Sequence, residues 1–487
     1  MIDTSVDETT PSPPSERRVH PCVFIHSYFY ASSTRPFSPR ATPSRGERMG
    51  AHERNMPKMP QMPPSHAHAR DRASETARAR SPVIRTVRSP ASSSLESRMR
   101  ATARPVTARR IVGLGDPVTD VLCRVTRADA LDILRDVDDG SREDVEIGGC
   151  AGVATAGDLD AIVSRAAAGT RATTPGGSAA NVLKGLAGIS RAGRGEDEED
   201  DESLVLTFVG TIEDEDAVGE AYEEALSRAG VRSALARRRR ATPPLGSARC
   251  VCLVDEHGQR TMRTYLGAAA KTTVDDLPMG TLERADALHA EGYALYKPEV
   301  LRAACVAAKR NGALVSLDLA SFEVVRNRRE ALEEILRSGM IDLVFCNEDE
   351  ARELARGTSS EARPPTNGRA AERPSEEVET DALKHLLRFV RVATCSRGKR
   401  GCVSMNAAGE RAESRAEGVT AIDTTGAGDT FTSGFLHAYL AGGSLRQCGD
   451  AGCAAGAEIV QVRGAEMDET RWRRVAEKIE RILRHDA

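Results

Sequence analysis

The chain has 487 residues, of which 40% are hydrophobic and 29% charged, and its formal net charge is −4. This length and composition allow a sizeable buried core in one large domain with extensions, or in two domains. The nearly balanced charge gives no electrostatic case for nucleic acid as a partner. No run approaches the roughly 18 consecutive apolar residues of a membrane helix, so the sequence predicts no membrane partner. Eleven cysteines occur without the paired spacing of a zinc site.

The first 108 residues differ from the rest of the chain. They are rich in Ser, Pro, Arg and Ala and show no helical or strand period, so they cannot bury enough apolar surface to fold. Arginines recur and acids are sparse after Arg17, a composition typical of an organellar transit segment. The acidic opening at residues 3–8 fits a transit segment poorly and favours a later start codon. We therefore expect residues 1–108 to be a disordered extension.

From residue 109 onward, short apolar runs alternate with segments of helical period. The predicted strands cover residues 111–114, 204–209, 313–318, 341–346 and 390–395, and the predicted helices cover 215–229, 298–311 and 327–338. This alternation predicts a doubly wound α/β fold, in which a mainly parallel sheet carries helices on both faces. Two insertions, one acidic near 192–203 and one Pro- and Glu-rich near 357–380, are predicted to be disordered.

The strongest motif is the run DTTGAGDTFTSGF at residues 423–435. The small residues 426–428 allow backbone N–H groups to turn inward as an anion-binding nest. A helix predicted from about Thr430 to Leu440 adds its positive dipole end at the same point. Asp429 lies where the nest meets the helix, so its carboxylate can take a proton from a hydroxyl while the nest holds a phosphoryl group. The alternative is an ordinary N-capping aspartate.

A second motif, GGSAAN at residues 176–181, enters a helix predicted to run to about Ile189. Gly176 and Gly177 permit close backbone approach to a polyol, and Asn181 offers both a donor and an acceptor to hydroxyl groups. The alternative is a loop followed by a serine-capped helix.

A third motif, NEDE at residues 347–350, directly follows a predicted strand. On a helix, Asn347 and Glu350 share a face, and such a pair can hold a hydrated Mg²⁺ ion. The alternative is an acidic first turn favoured by the helix dipole. Two other kinds of kinase are excluded, because the chain has neither the GxxxxGK[ST] run of a P-loop nor the HRD and DFG runs of protein kinases.

Together these motifs resemble the ribokinase (PfkB) family of carbohydrate and nucleoside kinases. The runs at 176–181 and 423–431 resemble the two family signatures, and 347–350 is similar to the family's NxxE. The order and spacing also agree, and the resemblance covers about residues 109–470. It implies a ribokinase-like kinase domain over residues 109–487.

The chain is most similar to a plant and algal branch of the family with the character of a plastid nucleoside kinase. The runs at 250–255, 316–323 and 347–351 carry this closer similarity. The opening at residues 113–120 is similar to the start of adenosine kinases. The resemblance also implies a small β-sheet lid, built from segments near 120–150 and 248–266.

The resemblance implies roles for individual residues. The acceptor would be bound by Asp120, Gly176, Gly177 and Asn181. The anion hole and the base would be formed by Gly426, Ala427, Gly428 and Asp429. ATP and its phosphates would be contacted by Arg260, Asn347, Glu350, Ser396, Gly398, Asp423 and Thr424. Asn347 and Glu350 would order Mg²⁺ through water, and a monovalent cation such as K⁺ would lie beside Asp423.

The chain departs from the family at Arg397, which stands where many members have leucine before Gly398, so the contact with adenine is expected to differ. The expected reaction is ATP-dependent transfer to a primary hydroxyl, with the 5′-hydroxyl of a purine nucleoside as the first choice, in purine salvage. A sugar kinase of ribose or fructose type and a non-catalytic organellar scaffold are the alternatives. The chain is expected to be a monomer or homodimer in the chloroplast, with the mitochondrion or cytoplasm as alternatives.

Overall fold

The computed structural model describes residues 109–137, 150–166, 171–193, 204–238, 244–257, 260–358 and 375–484. The predicted N-terminal extension lies outside the described residues, as do the acidic insertion from residue 194 onward and residues 359–374 of the second insertion.

The strands are β1 Arg110–Leu114, β2 Thr119–Arg124, β3 Cys150–Gly152, β4 Arg171–Pro175, β5 Val205–Val209, β6 Thr211–Glu213, β7 Arg232–Ser233, β8 Ala236–Arg238, β9 Arg249–Val254, β10 Arg260–Tyr265, β11 Ala287–Glu291, β12 Leu314–Asp318, β13 Leu343–Asn347, β14 Val392–Ser396, β15 Cys402–Asn406 and β16 Arg411–Ser414.

The α-helices are α1 Arg127–Val137, α2 Ala156–Arg165, α3 Ser178–Ala192, α4 Ala217–Arg228, α5 Met279–Glu283, α6 Pro298–Lys309, α7 Phe322–Asn327, α8 Arg329–Arg337, α9 Glu348–Thr358, α10 Ser375–Leu386, α11 Ala427–Leu440, α12 Leu445–Ile459 and α13 Glu469–Arg484. Short 3₁₀ turns cover Gly267–Lys271, Val274–Asp276, Gly292–Tyr296 and Gly398–Arg400. None of the helices in the described ranges is long and apolar enough to cross a membrane.

A nine-stranded sheet with the order β16-β15-β14-β13-β12-β11-β1-β5-β7 forms the centre of the fold. Seven of its strands, β14, β13, β12, β11, β1, β5 and β7, are parallel to one another. Strands β15 and β16 complete one edge in antiparallel orientation. The central strands are buried on both faces, which is why they appear in the sequence as short continuous apolar runs. The predicted doubly wound α/β class is confirmed.

Separate hydrophobic clusters cover the two faces of this sheet. Successive residues of β1 and β13 alternate between them, as the pleat requires: Val112 and Val344 pack with α6 and α8, whereas Ile111 and Phe345 pack with α3, α11 and α12. Helices α3 and α11 therefore lie side by side on one face. This arrangement brings the N-termini of both helices toward the same edge of the sheet.

A second, five-stranded sheet with the order β3-β10-β9-β2-β4 forms the lid. One face of it packs Val121, Val251 and Leu253 against α1 and α2. The opposite face carries Cys250, Cys252 and Met262, which belong to the core of the main body. The lid is thus a layered unit whose inner face rests on the carboxyl side of the main sheet.

Three segments differ from those expected. Strand β4, at residues 171–175, belongs to the lid although the expected lid segments did not include it, and residues 127–137 of the first segment form a helix. Residues 375–380 were expected within a disordered insertion, yet they open α10. The Pro- and Glu-rich composition of the segment did not indicate a helix. Helix α10 nevertheless has an apolar face, on which Ala382, Leu383 and Leu386 are buried at helical spacing.

Candidate active site

Buried polar side chains gather at the carboxyl ends of the central strands. The residues that end or directly follow these strands are Asp116 after β1, Glu291 at the end of β11, Asp318 at the end of β12 and Asn347 at the end of β13. In open α/β sheets, ligands bind at this edge because loops from several strands converge there. We therefore take this edge as the candidate active site.

Helix α11 begins at this edge without a capping side chain. Its N-cap, Gly426, has φ 70° and ψ 7°, the left-handed conformation that glycine adopts readily. No side chain in the described part of the chain caps the helix, and first-turn N–H groups have no partners within a helix. Such a helix start binds anions. Asp429 lies in the first turn and is 2% exposed.

Helix α3 begins at the second glycine motif. Gly177 has φ 89°, and a Cβ there would lie 2.5 Å from the backbone oxygen of Asp116, so both conformation and space require glycine. A Cβ at Gly176 would lie 2.2 Å from Asp120 Oδ2. Tyr222 fixes this loop by donating a hydrogen bond to the Gly176 oxygen at 2.8 Å. The structure thus brings together the lid residue Asp120 and the two glycines.

The two helix starts meet at the carboxylate of Asp429. Ser178 Oγ donates to Asp429 Oδ1 at 2.7 Å, and Asn181 Nδ2 donates to Asp429 Oδ2 at 2.8 Å. These partners precede Asp429 by 251 and 248 residues in the sequence. Ser433 binds the backbone oxygen of Asp429 at 2.8 Å. Asn181 Oδ1 is buried and accepts no hydrogen bond from the described residues, so it is available to a hydroxyl of a bound molecule.

Asn347 and Glu350 form a compact pair of their own. The backbone N–H and Nδ2 of Asn347 both donate to the Glu350 carboxylate, each at 2.8 Å. Asn347 Oδ1 in turn accepts the N–H groups of Asp349 and Glu350. Burial, followed by the charge of Asp318, raises the pKa of Glu350 well above its usual value. The pair thus caps α9 and presents a buried carboxyl group, and its role in holding Mg²⁺ stays a prediction.

A cation would relieve the electrostatic strain at this edge. Burial, together with the charge of Asp429, raises the pKa of Asp318 to about 7, although a hydrogen bond from Ala320 N–H acts in the opposite direction. Within the described residues, no three His, Cys, Asp or Glu side chains converge as direct metal ligands. Carboxylates that disfavour one another's charge, without a closed ligand cage, fit an ion that keeps several waters, as Mg²⁺ does.

Arg260 connects the lid to the loop that precedes α11. Its Nη2 lies 2.8 Å from Asp423 Oδ1 and donates to Thr424 Oγ1 at 2.7 Å, and its Nη1 donates to Thr425 Oγ1. Asp423 also accepts the N–H of Gly464 at 2.9 Å. Burial alone would raise the pKa of Asp423, but the charge of Arg260 and the hydrogen bonds to Asp423 outweigh burial and lower it. Asp423, Thr424 and Arg260 therefore lie together.

Ser396 and Gly398 lie at the end of β14, beside the third motif. Ser396 is the register partner of Asn347, and Gly398 has φ 52°. Arg397 between them is only 6% exposed and turns into the protein, where it faces Glu379 at 3.9 Å and Glu413 at 3.6 Å. Its effect on the contact with adenine stays a prediction.

The sequence motifs did not identify three residues of this edge. Ser178 was considered only as a helix cap, although it binds Asp429. Asp318 and Glu291 are the last residues of β12 and β11, and an acid that ends a buried apolar strand was the signal available for them. Glu291 accepts the N–H groups of Asp116 at 2.8 Å and Ala179 at 3.0 Å, so it ties the β1 loop to α3.

The fold and this edge define the chain as a ribokinase-like α/β protein. The family model described as pfkB family carbohydrate kinase matches residues 153–471. The chain therefore belongs to the pfkB family of carbohydrate kinases. Membership implies the use of ATP and Mg²⁺. The match begins after β1 and Asp120, so it does not extend to the first part of the lid.

Curated relatives match short parts of the chain. A nucleoside kinase of Methanocaldococcus jannaschii is 40% identical over 60 residues, which is 12% of this chain and 20% of that protein. An uncharacterized sugar kinase of Archaeoglobus fulgidus is 32% identical over 92 residues, or 19% of this chain and 36% of that protein. The chain thus matches well under two thirds of either relative.

Solved structures share the fold across most of the chain. A probable sugar kinase protein from Rhizobium etli has a TM-score of 0.62 at 24% identity and covers 77% of this chain and 98% of its own. Adenosine kinase from Sinorhizobium meliloti has a TM-score of 0.61 at 23% identity and covers 77% and 99%. Adenosine kinase from Schistosoma mansoni in complex with 2-fluoroadenosine has a TM-score of 0.59 at 18% identity, with 74% and 98% covered.

Proposed function

We propose that this chain transfers the γ-phosphoryl group of ATP to a primary hydroxyl of a small acceptor, with Asp429 as the general base. The observation that carries the proposal is the buried carboxylate of Asp429 at an uncapped helix start, oriented by Ser178 and Asn181. A base must point at the proton that it removes, and hydrogen bonds to both oxygens fix its direction.

In this mechanism Asp429 takes the proton of the acceptor hydroxyl as the hydroxyl oxygen attacks the γ-phosphorus. The bond from phosphorus to the bridging oxygen of ATP breaks, and ADP leaves. The N–H groups of Gly426, Ala427 and Gly428 stabilise the charge on the transferred phosphoryl oxygens. Arg260 adds a positive charge from the lid, and closure of the lid excludes water.

Asn347 and Glu350 are the residues that would hold Mg²⁺, through water. The ion supplies charge neutralisation to the phosphates when it is bound. We also propose a monovalent cation such as K⁺ near Asp423, on the side of the carboxylate that does not face Arg260. Ser396 and Gly398 are proposed to face the nucleotide from the end of β14.

The acceptor is proposed to be a purine nucleoside, with its 5′-hydroxyl as the site of transfer. The name of the archaeal nucleoside kinase and the adenosine kinases among the similar structures support this choice. Asp120, Gly176, Gly177 and Asn181 would bind the sugar hydroxyls. The sugar kinases among the relatives support a free sugar of ribose or fructose type as the second candidate.

A panel assay tests the proposal. Purified protein is given ATP, Mg²⁺ and, in turn, nucleosides and free sugars, and phosphorylated product is measured. We expect product with at least one nucleoside. ATP binding without any phosphorylated acceptor would contradict the proposal and favour the non-catalytic scaffold.

We further propose a place in the plastid branch of the family, a role in purine salvage and a chloroplast location. The arginine-rich, acid-poor composition of residues 18–108 supports the location. A fluorescent fusion of residues 1–108 that stays in the cytoplasm or enters mitochondria would contradict it. Sedimentation would distinguish a monomer from a homodimer.

A further inference from the structure

Beside the edge described above lies a buried carboxylate without a hydrogen-bond partner in the described ranges. Glu213, at the end of β6, is 2% exposed, and neither of its carboxylate oxygens has a hydrogen-bond partner among the described residues. A buried carboxylate without partners is costly, and in native proteins each such group calls for an explanation. Glu213 does not take part in the proposed phosphotransfer.

Two hydroxyl groups in the same region share this property. Thr211 precedes Glu213 by two residues on β6, so both side chains point to the same face of the strand. Thr211 Oγ1 and Thr264 Oγ1 are buried and have no hydrogen-bond partner within the described ranges. Burial, and then the charge of Glu213, raises the pKa of Tyr265, the neighbour of Thr264 in β10. Three buried polar side chains are thus unsatisfied in one region.

The register of the lid connects this region to the acceptor residues. Thr264 pairs with Cys250, and Cys250 pairs with Asp120. Paired residues lie on the same face of a sheet, and strands are about 4.8 Å apart. Thr264 therefore lies on the same face as Asp120 at a distance of about 10 Å, two strand spacings away. This separation exceeds a single sugar ring and suits a nucleoside.

Strand β6 approaches the same place from the main body. Gly210, which precedes Thr211, packs so closely that a Cβ would lie 2.5 Å from the Gly115 oxygen in the β1 loop. The N–H of Glu213 binds Ser247 Oγ at 3.1 Å, and the next residue, Ala248, accepts the N–H of Thr119 at 3.0 Å. Glu213 is thus tied to the strand that carries Asp120.

We propose that Glu213, Thr211 and Thr264 form a recognition subsite for the base of a nucleoside acceptor, and that this base is of the guanine type. An ionised carboxylate only accepts hydrogen bonds, and it can accept two in parallel. Guanine offers two adjacent donors on one edge, its ring N1–H and its 2-amino group. Adenine presents its amino group beside a ring acceptor, N1. The carboxylate repels N1, because both are hydrogen-bond acceptors. The inference rests on the proposed function and narrows its acceptor.

Acceptor analogues test the subsite with the unaltered full-length protein. The kcat/KM for phosphorylation is measured with guanosine, inosine, 1-methylguanosine, adenosine and ribose. A well-formed bidentate contact discriminates by about 10- to 100-fold, so we expect guanosine to exceed adenosine by that factor. Inosine, which lacks the amino group, should be intermediate, and 1-methylguanosine, which lacks the N1–H, should be poor.

A substitution supplies an independent test. In Glu213→Gln one oxygen becomes an amide donor, so guanosine should lose about 10- to 100-fold in kcat/KM. Adenosine should gain, because a glutamine side chain can pair with an adenine edge that offers one donor and one acceptor. Activity with ribose should not change. Glu220→Gln, on the exposed first turn of α4, is the matched control and should behave as the wild type.

The outcomes separate the subsite from the proposed function. Equal use of guanosine and adenosine, with an unchanged ratio in Glu213→Gln, would overturn the subsite, leaving a structural carboxylate satisfied by water. If Glu213→Gln does not fold, the analogue series decides. If no acceptor is phosphorylated, the proposed function fails. The subsite is then tested by binding, from the rise in melting temperature of the protein with guanosine and with adenosine. Equal rises with the two nucleosides would overturn the subsite.

Discussion

Asp429 and Glu350 are both buried acids in the first turn of a helix at the same edge of the sheet, yet they are held in opposite ways. Glu350 is bound by Asn347, three residues away. Asp429 is bound by two side chains of another helix, about half the chain away. Local partners make Glu350 part of its own helix cap. Distant partners make the direction of Asp429 depend on how α3 and α11 pack.

The largest expected effect is the loss of turnover when Asp429, the acid held by distant partners, is replaced. Replacement Asp429→Asn keeps the shape but removes the base, so kcat should fall by about 10²- to 10⁴-fold, whereas ATP binding persists. Steady-state kinetics and ATP titration measure the two quantities. Asp342→Asn is the matched control, because this buried aspartate precedes β13 at the opposite edge and binds Val315 N–H. The control should lose stability and retain its kcat; near-normal turnover in Asp429→Asn would refute the role of the base.

The next largest effect concerns Glu350. Replacement Glu350→Gln places an amide group against the donors of Asn347 and removes the acid, so we expect the affinity for Mg²⁺ in the presence of ADP to fall by about tenfold or more. The Mg²⁺ dependence of the melting temperature with ADP measures it without turnover. Glu348→Gln, in the same turn but paired with Arg400, is the control. Equal Mg²⁺ dependence in both variants would show that Glu350 only caps α9.

A smaller effect is expected at the start of α3, the helix that supplies the distant partners of Asp429. Gly177→Ala introduces a side chain at φ 89° and 2.5 Å from the Asp116 oxygen, so stability should fall by more than the about 1–2 kcal/mol of left-handed strain alone. The KM for the acceptor should also rise, since the loop must shift. Gly246→Ala has φ 74° but no described atom within 4 Å. Chemical unfolding that shows equal losses for both variants would contradict the close contact.

The last prediction concerns the dependence of stability on pH through Glu291. Burial, and then the charge of Asp116, raises the pKa of Glu291 from 4.5 to about 8, although two backbone N–H groups act in the opposite direction. Because the pKa is higher in the folded chain, the contribution of Glu291 to stability is full below about pH 4.5 and is lost as the pH rises through about 8. Glu291→Gln should flatten this part of the curve of unfolding free energy against pH. An unchanged slope would assign it to other groups.

Much of the fold was predictable because the central strands are buried on both faces and appear as apolar runs. Strand β11 was missed because it contains His289 and Glu291. Their partners are distant in the sequence: Ser316 Oγ lies 2.9 Å from His289 Nδ1, and the Glu291 carboxylate accepts two backbone N–H groups. Helix α10 was assigned in part to a disordered insertion for a similar reason. Its apolar face is recognised only from its packing in the structure.

The candidate site divides in the same way. Spacing within one motif predicted the Asn347–Glu350 pair, because three residues make nearly one helical turn. No spacing in the sequence predicts that Ser178 contacts Asp429. That contact exists because α3 and α11 pack side by side on the sheet, which only the structure shows. The unsatisfied oxygens of Glu213 likewise became apparent only when its burial was known.

A double-mutant cycle on Ser178 and Asp429 tests the central claim most directly. If Ser178 acts by orienting the base, Ser178→Ala should lower kcat by about tenfold, the loss expected for one hydrogen bond to a charged group. The same change in the Asp429→Asn background should then cost nothing further. Equal losses in both backgrounds would contradict the account, because Ser178 would then act independently of Asp429.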